Sequence, residues 1–207
     1  MYVPAHFALT DTEALHRLMR AHPLGALVTQ GPQGLDADHV PFELDAAAGP
    51  LGCLRGHVAR ANPVWQRCPS GSPVLVIFRG AEAFISPSWY PSKHEAHRQV
   101  PTWNYEVVHA HGTLTVRDDV RFVRGVVARL TRTHEQGEPQ PWRMTDSAPE
   151  FIDGLLAQIV GIEIAITSLV GKSKLSQNKD ARDRQGAADA LALRGHGALA
   201  DRMRPPG

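Results

Sequence analysis

The chain of 207 residues carries 22 Lys and Arg against 21 Asp and Glu, a formal net charge of +1, and a hydrophobic share of 43%. Such a length and composition suit one globular domain with a sizeable core and exclude intrinsic disorder. The near-neutral charge excludes a broad polyanion-binding surface, and no apolar run reaches membrane-spanning length, so a cytoplasmic location without membrane contact is expected.

Thr10-Asp11-Thr12-Glu13 reads as a capping box, after which Leu15, Leu18 and Met19 share one face of a short helix that Pro23 ends. "GALVT" (25–29) reads as a buried strand and "GPQGLD" as a turn. "ADHVPFEL" (37–44) gives a second strand, in which Pro41 marks an edge or a bulge. In "LGCLRGHV" (51–58) a period of two puts Cys53, Arg55 and His57 on one face and Leu54, Gly56 and Val58 on the other. "NPVWQRC" (62–68) predicts a helical turn. "PVLVIF" (73–78) reads as a strand covered on both faces, with "AEAFIS" (81–86) pairing against it across a tight connection. "YEVVHAHGTLTV" (105–116) predicts a long alternating strand. Asp118 and Asp119 open a helix carrying Val123, Val126, Val127 and Leu130, and Ser147-Ala148-Pro149-Glu150 is a second capping box. "GIEIAIT" (161–167) points Ile162, Ile164 and Ile166 inward, "VGKSKLSQNKD" ends the sheet, and a glycine-interrupted helical tail runs to Met203. About seven strands with late helices favour a small antiparallel barrel over a doubly wound sheet.

The chemistry-bearing residues are selective. Cys53 and Cys68 are too few for a disulfide scaffold, which predicts free thiols in a reducing compartment. His109 and His111 share a strand face and His94 and His97 flank Glu95, but these spacings match no zinc pattern, and no metal is expected. Nucleophile-elbow, P-loop and Rossmann signatures are absent. "LRGHVARANPVW" (54–65) instead brings Arg55, His57, Arg60 and Asn62 to a strand end before a helical turn, where backbone N–H groups and a guanidinium suit an anion. "GKSKLSQNK" (171–179) is a second donor cluster. Between them "PSWYPSKHEAHRQVPTWNY" (87–105) is too poor in Gly and Ser for a flexible linker and rich in aromatic and polar side chains. Two donor clusters and an aromatic loop suit a planar, phosphorylated ligand.

The chain resembles the PaiB-type family of FMN-binding negative transcriptional regulators. The resemblance runs through "MYVPAHF", "ADHVPFEL", "GHVARANPVW", "ISPSWYPSKHEAHRQVPTWNYEVVHAHG" and "GIEIAITSLVGKSKLSQNKDARDRQG". It departs at Ser173 and Lys179, where a bulkier residue and an Arg are expected. It implies a mainly β fold with helices (α+β): a six-stranded antiparallel FMN-binding split β-barrel with helical insertions, one domain over 1–207 with a helical C-terminal tail at 177–207. It also implies a homodimer with FMN at the subunit interface. The 87–105 loop would wall the pocket, with Trp89, Trp103 and Tyr105 as aromatic surfaces and Asn104 as a ring-edge or ribityl partner. Asp38, His39, Val40 and Pro41 would run along the isoalloxazine; His57, Arg60 and Asn62 would lie near the phosphate, with Lys93 and Gln177 as further polar contacts. FMN is expected rather than FAD, since no Gly-rich strand–helix turn serves a pyrophosphate. Direct DNA binding is expected to be weak, because no helix-turn-helix pattern occurs. The tail from Asn178 to Arg204, with six Lys and Arg against four Asp, reads as a solvated amphipathic helix. The alternative class is an FMN-dependent oxidoreductase of flavin/nicotinamide or haem-related type.

Overall fold

The computed structural model describes residues 1–204, so the last three residues of the expected tail lie outside the described residues. A 3-10 turn (Ala5–Phe7) leads into β1 (Ala8–Leu9) and α1 (Thr12–Ala21). There follow β2 (Leu24–Gly31), β3 (Gly34–Pro41), β4 (Glu43–Asp45), β5 (Cys53–Ala59), α2 (Val64–Arg67) and β6 (Pro73–Ile85). A second 3-10 turn (Pro87–Trp89) and α3 (Pro91–Ala96) lead to β7 (Thr102–Arg117) and α4 (Val120–Glu135). A third 3-10 turn (Met144–Asp146) precedes α5 (Pro149–Leu156), β8 (Ile159–Lys174), α6 (Ala181–Ala192) and α7 (Gly197–Met203). The sheet runs β3-β2-β6-β7-β8-β5-β4, with β1 pairing off this path to β8. It is not closed: the path ends at β3 and β4. The expected six strands are the long ones, β2, β3, β5, β6, β7 and β8, and the two additions are the two-residue β1 and three-residue β4.

The chain packs as two compact units: a smaller one of Met1–Leu15, Arg79–Val108 and the chain from Val170 onward, and a larger one of His16–Phe78 and His109–Leu169. In the larger unit β2 and β3 form a hairpin in unbroken register from Leu24↔Pro41 to Gly31↔Gly34. Pro41 ends β3 because it cannot donate to a ladder, and Phe42 separates β3 from β4. On β5, Leu54, Gly56 and Val58 are buried, as the period of two predicts, and Cys53 of the opposite face is buried as well at the strand's start. Gly56 is where β3 crosses β5 closely: a Cβ there would lie 3.0 Å from Val40 Cγ1 and 3.2 Å from the Pro41 carbonyl oxygen. Ile162, Ile164 and Ile166 of β8 are buried. Asp119 caps α4 by accepting from Phe122 N at 2.7 Å, and Val123, Val126 and Leu130 face inward.

In the smaller unit Ala83, Ile85, Tyr90 and Leu175 share one core with Ala187, Ala188, Leu191, Leu199, Ala200 and Met203. The tail is thus a packing partner rather than a solvated helix, and its small residues explain how. Gly186 of α6 lies against the Trp89 backbone, where a Cβ would come 2.5 Å from the carbonyl oxygen. One turn earlier, Asp183 is 1% exposed. Its carboxylate accepts from Ser92 N (3.0 Å), Ser92 Oγ (2.5 Å) and Gln99 Nε2 (3.0 Å), so α6 holds both ends of the α3 segment.

Four local expectations differ from the structure. Residues 73–86 hold no hairpin: β6 is one strand of 13 residues, since neither Arg79 nor Gly80 takes the positive φ of a two-residue hairpin turn. β8 runs from Ile159 to Lys174, well beyond the expected 161–167. The cap of α1 is Asp11, which accepts from Ala14 N at 2.9 Å, not Thr10. Ala148, not Ser147, precedes α5 and makes no side-chain cap, because Pro149 already fills the first helical position without an N–H to satisfy.

Two helical glycines separate propensity from packing. Ala in place of Gly gains up to about 1 kcal/mol in a helix interior, whereas forcing a methyl into backbone costs about 1–3 kcal/mol. Gly154→Ala, with open space around the new methyl, should raise the urea midpoint, and Gly186→Ala should lower it. Asp183→Ala removes three charge-assisted acceptor contacts and should cost about 1.5–3 kcal/mol, with faster protease cleavage within 91–101 as the local readout.

Candidate functional site

The expected contacts fall into two groups, one in each unit. In the larger unit Asp38, His39, Val40 and Pro41 lie on β3. Val40 is buried against Gly56, while His39 and Pro41 are exposed. Asn62 Nδ2 donates to Asp38 Oδ1 at 2.7 Å, and Asn62 Oδ1 accepts from Val64 N at 2.9 Å, which fixes the amide's orientation. Asp38 Oδ2 and His57 Nδ1 are buried atoms without a hydrogen-bond partner among the described residues. Burial pushes the His57 pKa below the ordinary 6.5, so the ring is held toward its neutral form. An orphaned acceptor and an orphaned ring nitrogen are the kind of unmet demand that a bound ligand satisfies.

The arginines of the same stretch are committed. Arg60 straddles Asp118 through Nη1 (2.9 Å) and Nη2 (2.6 Å) and donates Nε to the Ala157 carbonyl at 2.8 Å. Hydrogen bonding to Arg60 holds the Asp118 carboxyl below its usual range. Arg55 bridges Asp45 (2.8 Å) and Glu163 (2.9 Å). Asp118, read in sequence only as part of a helix start, and Glu163 therefore decide which donors stay available.

In the smaller unit the strand period sorts the 102–106 residues. β7 starts at Thr102, so Trp103 and Tyr105 point to one face and Asn104 and Glu106 to the other. Trp103 is 54% exposed and stands edge-to-face on Phe84 at 6.2 Å. With Tyr105, Arg79 and Glu82 it lines a cleft of about 360 Å³. Lys172 Nζ lies 5.4 Å from the Tyr105 ring and 5.9 Å from that of Tyr2, and Lys174 donates to Thr102 Oγ1 and to the Trp103 carbonyl. Desolvation, helped by Lys172, lowers the Lys174 pKa. Asn104 is fully buried, donating to Ser176 Oγ at 2.9 Å. Gln177 closes its own turn, with Nε2 on the Ser173 carbonyl (2.6 Å) and Oε1 accepting from Leu175 N (2.7 Å). Lys93 is half-buried on α3, without an ion pair among the described residues, and Trp89 lies under the Arg194 guanidinium at 4.7 Å. The two departures noted in sequence are also engaged: Ser173 Oγ donates to Glu106, and Lys179 donates to Gln99.

Among the described residues no three His, Cys, Asp or Glu side chains are grouped to hold a metal, and the His109 and His111 rings stand 6.5 Å apart. Cys53 is buried, which pushes its thiol up to about 11 and leaves it protonated and unreactive. What sequence reasoning missed is Asp183, the carboxylate that orders the loop; a buried Asp gives no pattern of its own, although Asp180 three residues before it caps α6 in the usual way.

Taken one unit at a time, the smaller offers an aromatic strip beside two lysines and the larger a polar set with unmet hydrogen bonds. Comparison with known proteins bears on the family and the fold. The chain is 28% identical over 191 residues to the protease synthase and sporulation protein PAI 2 of Bacillus subtilis, covering 92% of this chain and 89% of that protein. An uncharacterized protein of Aspergillus fumigatus is 31% identical over 236 residues, covering 92% and 90%. Among solved structures, the FAD and heme binding protein of Mycobacterium smegmatis superposes with a TM-score of 0.61 at 18% identity, over 91% of this chain and 80% of that one, a likeness of fold. Residues 1–168 match the family described as "Putative FMN-binding domain", and the chain belongs to that family.

Proposed function

We propose that the protein is a homodimeric FMN carrier of PaiB type that acts in regulation through its flavin state rather than by reading DNA sequence. The observation that carries this reading is the exposed aromatic strip of the smaller unit. Phe84 touches Trp103, Trp103 lines a cleft with Tyr105, and Lys172 joins Tyr105 to Tyr2, which is itself 83% exposed. A contiguous aromatic surface with adjacent cations suits both a flavin ring and a second subunit. Bound FMN would supply redox chemistry, and the chain's own residues bind and orient it.

The roles then divide by geometry. Trp103 and Tyr105 are the stacking surfaces, with Lys172 and Lys174 the cations beside them, and Lys93 of α3 a further polar contact. His57, Asp38 and Asn62 present hydrogen-bonding groups, with His39, Val40 and Pro41 as the β3 wall beside them. Asn104, facing away from Trp103, acts as a positioning residue through Ser176, as Gln177 does through its turn. Arg60 positions the β5 end while it stays closed on Asp118.

The tail argues against intrinsic DNA recognition. Each of its six cations already has a partner within the protein: Lys179 with Gln99, Arg182 with Glu95, Arg184 with the Met203 carbonyl, Arg194 with Trp89, Arg202 with Glu106 and Arg204 with Asp189. Phosphate contacts would have to displace these.

Titration should show FMN bound more tightly than FAD, with light scattering reporting a dimer. Trp103→Ala should weaken FMN binding about fivefold to tenfold and change the flavin fluorescence. Equal affinity for the parent and this variant would move the ring away from the aromatic strip, and a monomer at micromolar concentration would remove the dimer. For DNA, preference for any sequence over random duplex at physiological salt should stay well below about a thousandfold. A tight, salt-tolerant, selective complex would replace indirect regulation with direct repression.

A further inference from the structure

One concave region of the larger unit takes no part in the flavin reading. α4 presents Ala128, Thr131 and Arg132 along one side, and Trp142, Arg143 and Thr145 face them across a cleft of about 600 Å³. The spacing of three and four residues puts the helical members on one face, and the small Ala128 leaves room between them. The opposite wall is anchored. Trp142 N donates to Glu135 Oε2 at 2.9 Å and Arg143 N donates to Asp146 Oδ2 at 2.9 Å, so both of these carboxylates are engaged with backbone.

The two guanidiniums here, like that of Arg121 earlier on α4, are not closed on carboxylates among the described residues. Arg124 and Arg129 of the same helix pair with Asp153 and Glu43, whereas neither Arg132 nor Arg143 forms an ion pair among the described residues. Trp142, which lines the same cleft, remains 40% exposed. A cation in the last turn complements the α4 dipole and would account for Arg132 alone. It does not account for a second unpaired guanidinium and an indole on the facing segment.

We propose that this cleft is a second ligand site, for a flat aromatic anion. The ring packs on Trp142, a carboxylate or phosphate is held between Arg132 and Arg143, and the hydroxyls of Thr131 and Thr145 add donors. The volume is within the usual range for small-molecule sites. Neither the site nor its test depends on where FMN binds.

Calorimetry on the FMN-saturated full chain tests it with two probes, adenosine monophosphate and anthranilate, against adenosine and aniline, which keep the ring and lack the anion. At least one probe should bind one per chain with Kd below about 1 mM, and its uncharged counterpart about tenfold or more weaker. Arg132→Gln and Arg143→Gln should each weaken the probe about tenfold, and Trp142→Ala should abolish its binding while Trp142→Phe retains part of it. FMN affinity should be unchanged in all four variants, which also reports that they are folded. The proposal is overturned if neither probe binds, if the variants bind it like the parent, or if FMN displaces it.

Discussion

The carboxylate of Asp183 is the constraint on which the smaller unit's order depends. A segment with three prolines and few apolar anchors gains little by burial, and ordering it costs conformational entropy at every residue. Asp183 offsets that cost by gathering the backbone and hydroxyl of Ser92 and the amide of Gln99 on one buried group. A buried charge is tolerable only when such donors surround it. The arrangement is therefore reciprocal: the loop needs the carboxylate, and the carboxylate needs the loop. Gly186 and the alanines after it bring α6 close enough for that exchange, and Tyr90, with no exposed surface, seals it from the apolar side.

A second theme is how many arginines the fold closes on its own carboxylates. Arg55, Arg60, Arg67, Arg117 and Arg129 each meet a carboxylate in the larger unit, and the tail cations are engaged in the smaller one. Most of these pairs are partly exposed, so individually they add little stability. Their larger effect is on recognition: a protein whose guanidiniums are closed on its own acids presents small, separate spots of available charge. Lys93, Lys172 with Lys174, and Arg132 with Arg143 are such spots. Near-neutral net charge already excluded a broad basic face, and the pairing explains why local arginine density does not restore one.

Legibility in the sequence followed the physics of each element. Period-two burial placed β5 and β8 correctly, and the apolar period placed α4, because alternation and helical spacing report directly on which face meets the core. The 73–86 region was misread as a hairpin because an Arg-Gly pair resembles a turn in composition, yet only backbone φ decides whether the chain reverses. At the candidate site the residue types were legible while their commitments were not. Arg60 and Asn62 look equally available in "VARANPVW", but Asp118, distant in sequence, closes one, while Asp38 orients the other. Pairing between remote residues leaves no trace in a single sequence.

The start of β7 shows how a small shift of boundary redistributes function. Read as the end of a loop, Trp103, Asn104 and Tyr105 could all line one pocket. Because the strand begins at Thr102, alternation assigns Trp103 and Tyr105 to the open face and Asn104 and Glu106 to the interior, where Ser176, Ser173 and Arg202 meet them. The interior members fix the strand's register, since a one-residue slip would bury Trp103 and expose the Glu106 carboxylate that Arg202 neutralises. The aromatic face is thus held in place by polar residues that never reach it. In the proposed placement, a flavin stacked on Trp103 would rest on a surface whose position is set by α7 through Arg202 and by the Ser176 turn, and the C-terminal helices would serve binding without a direct contact.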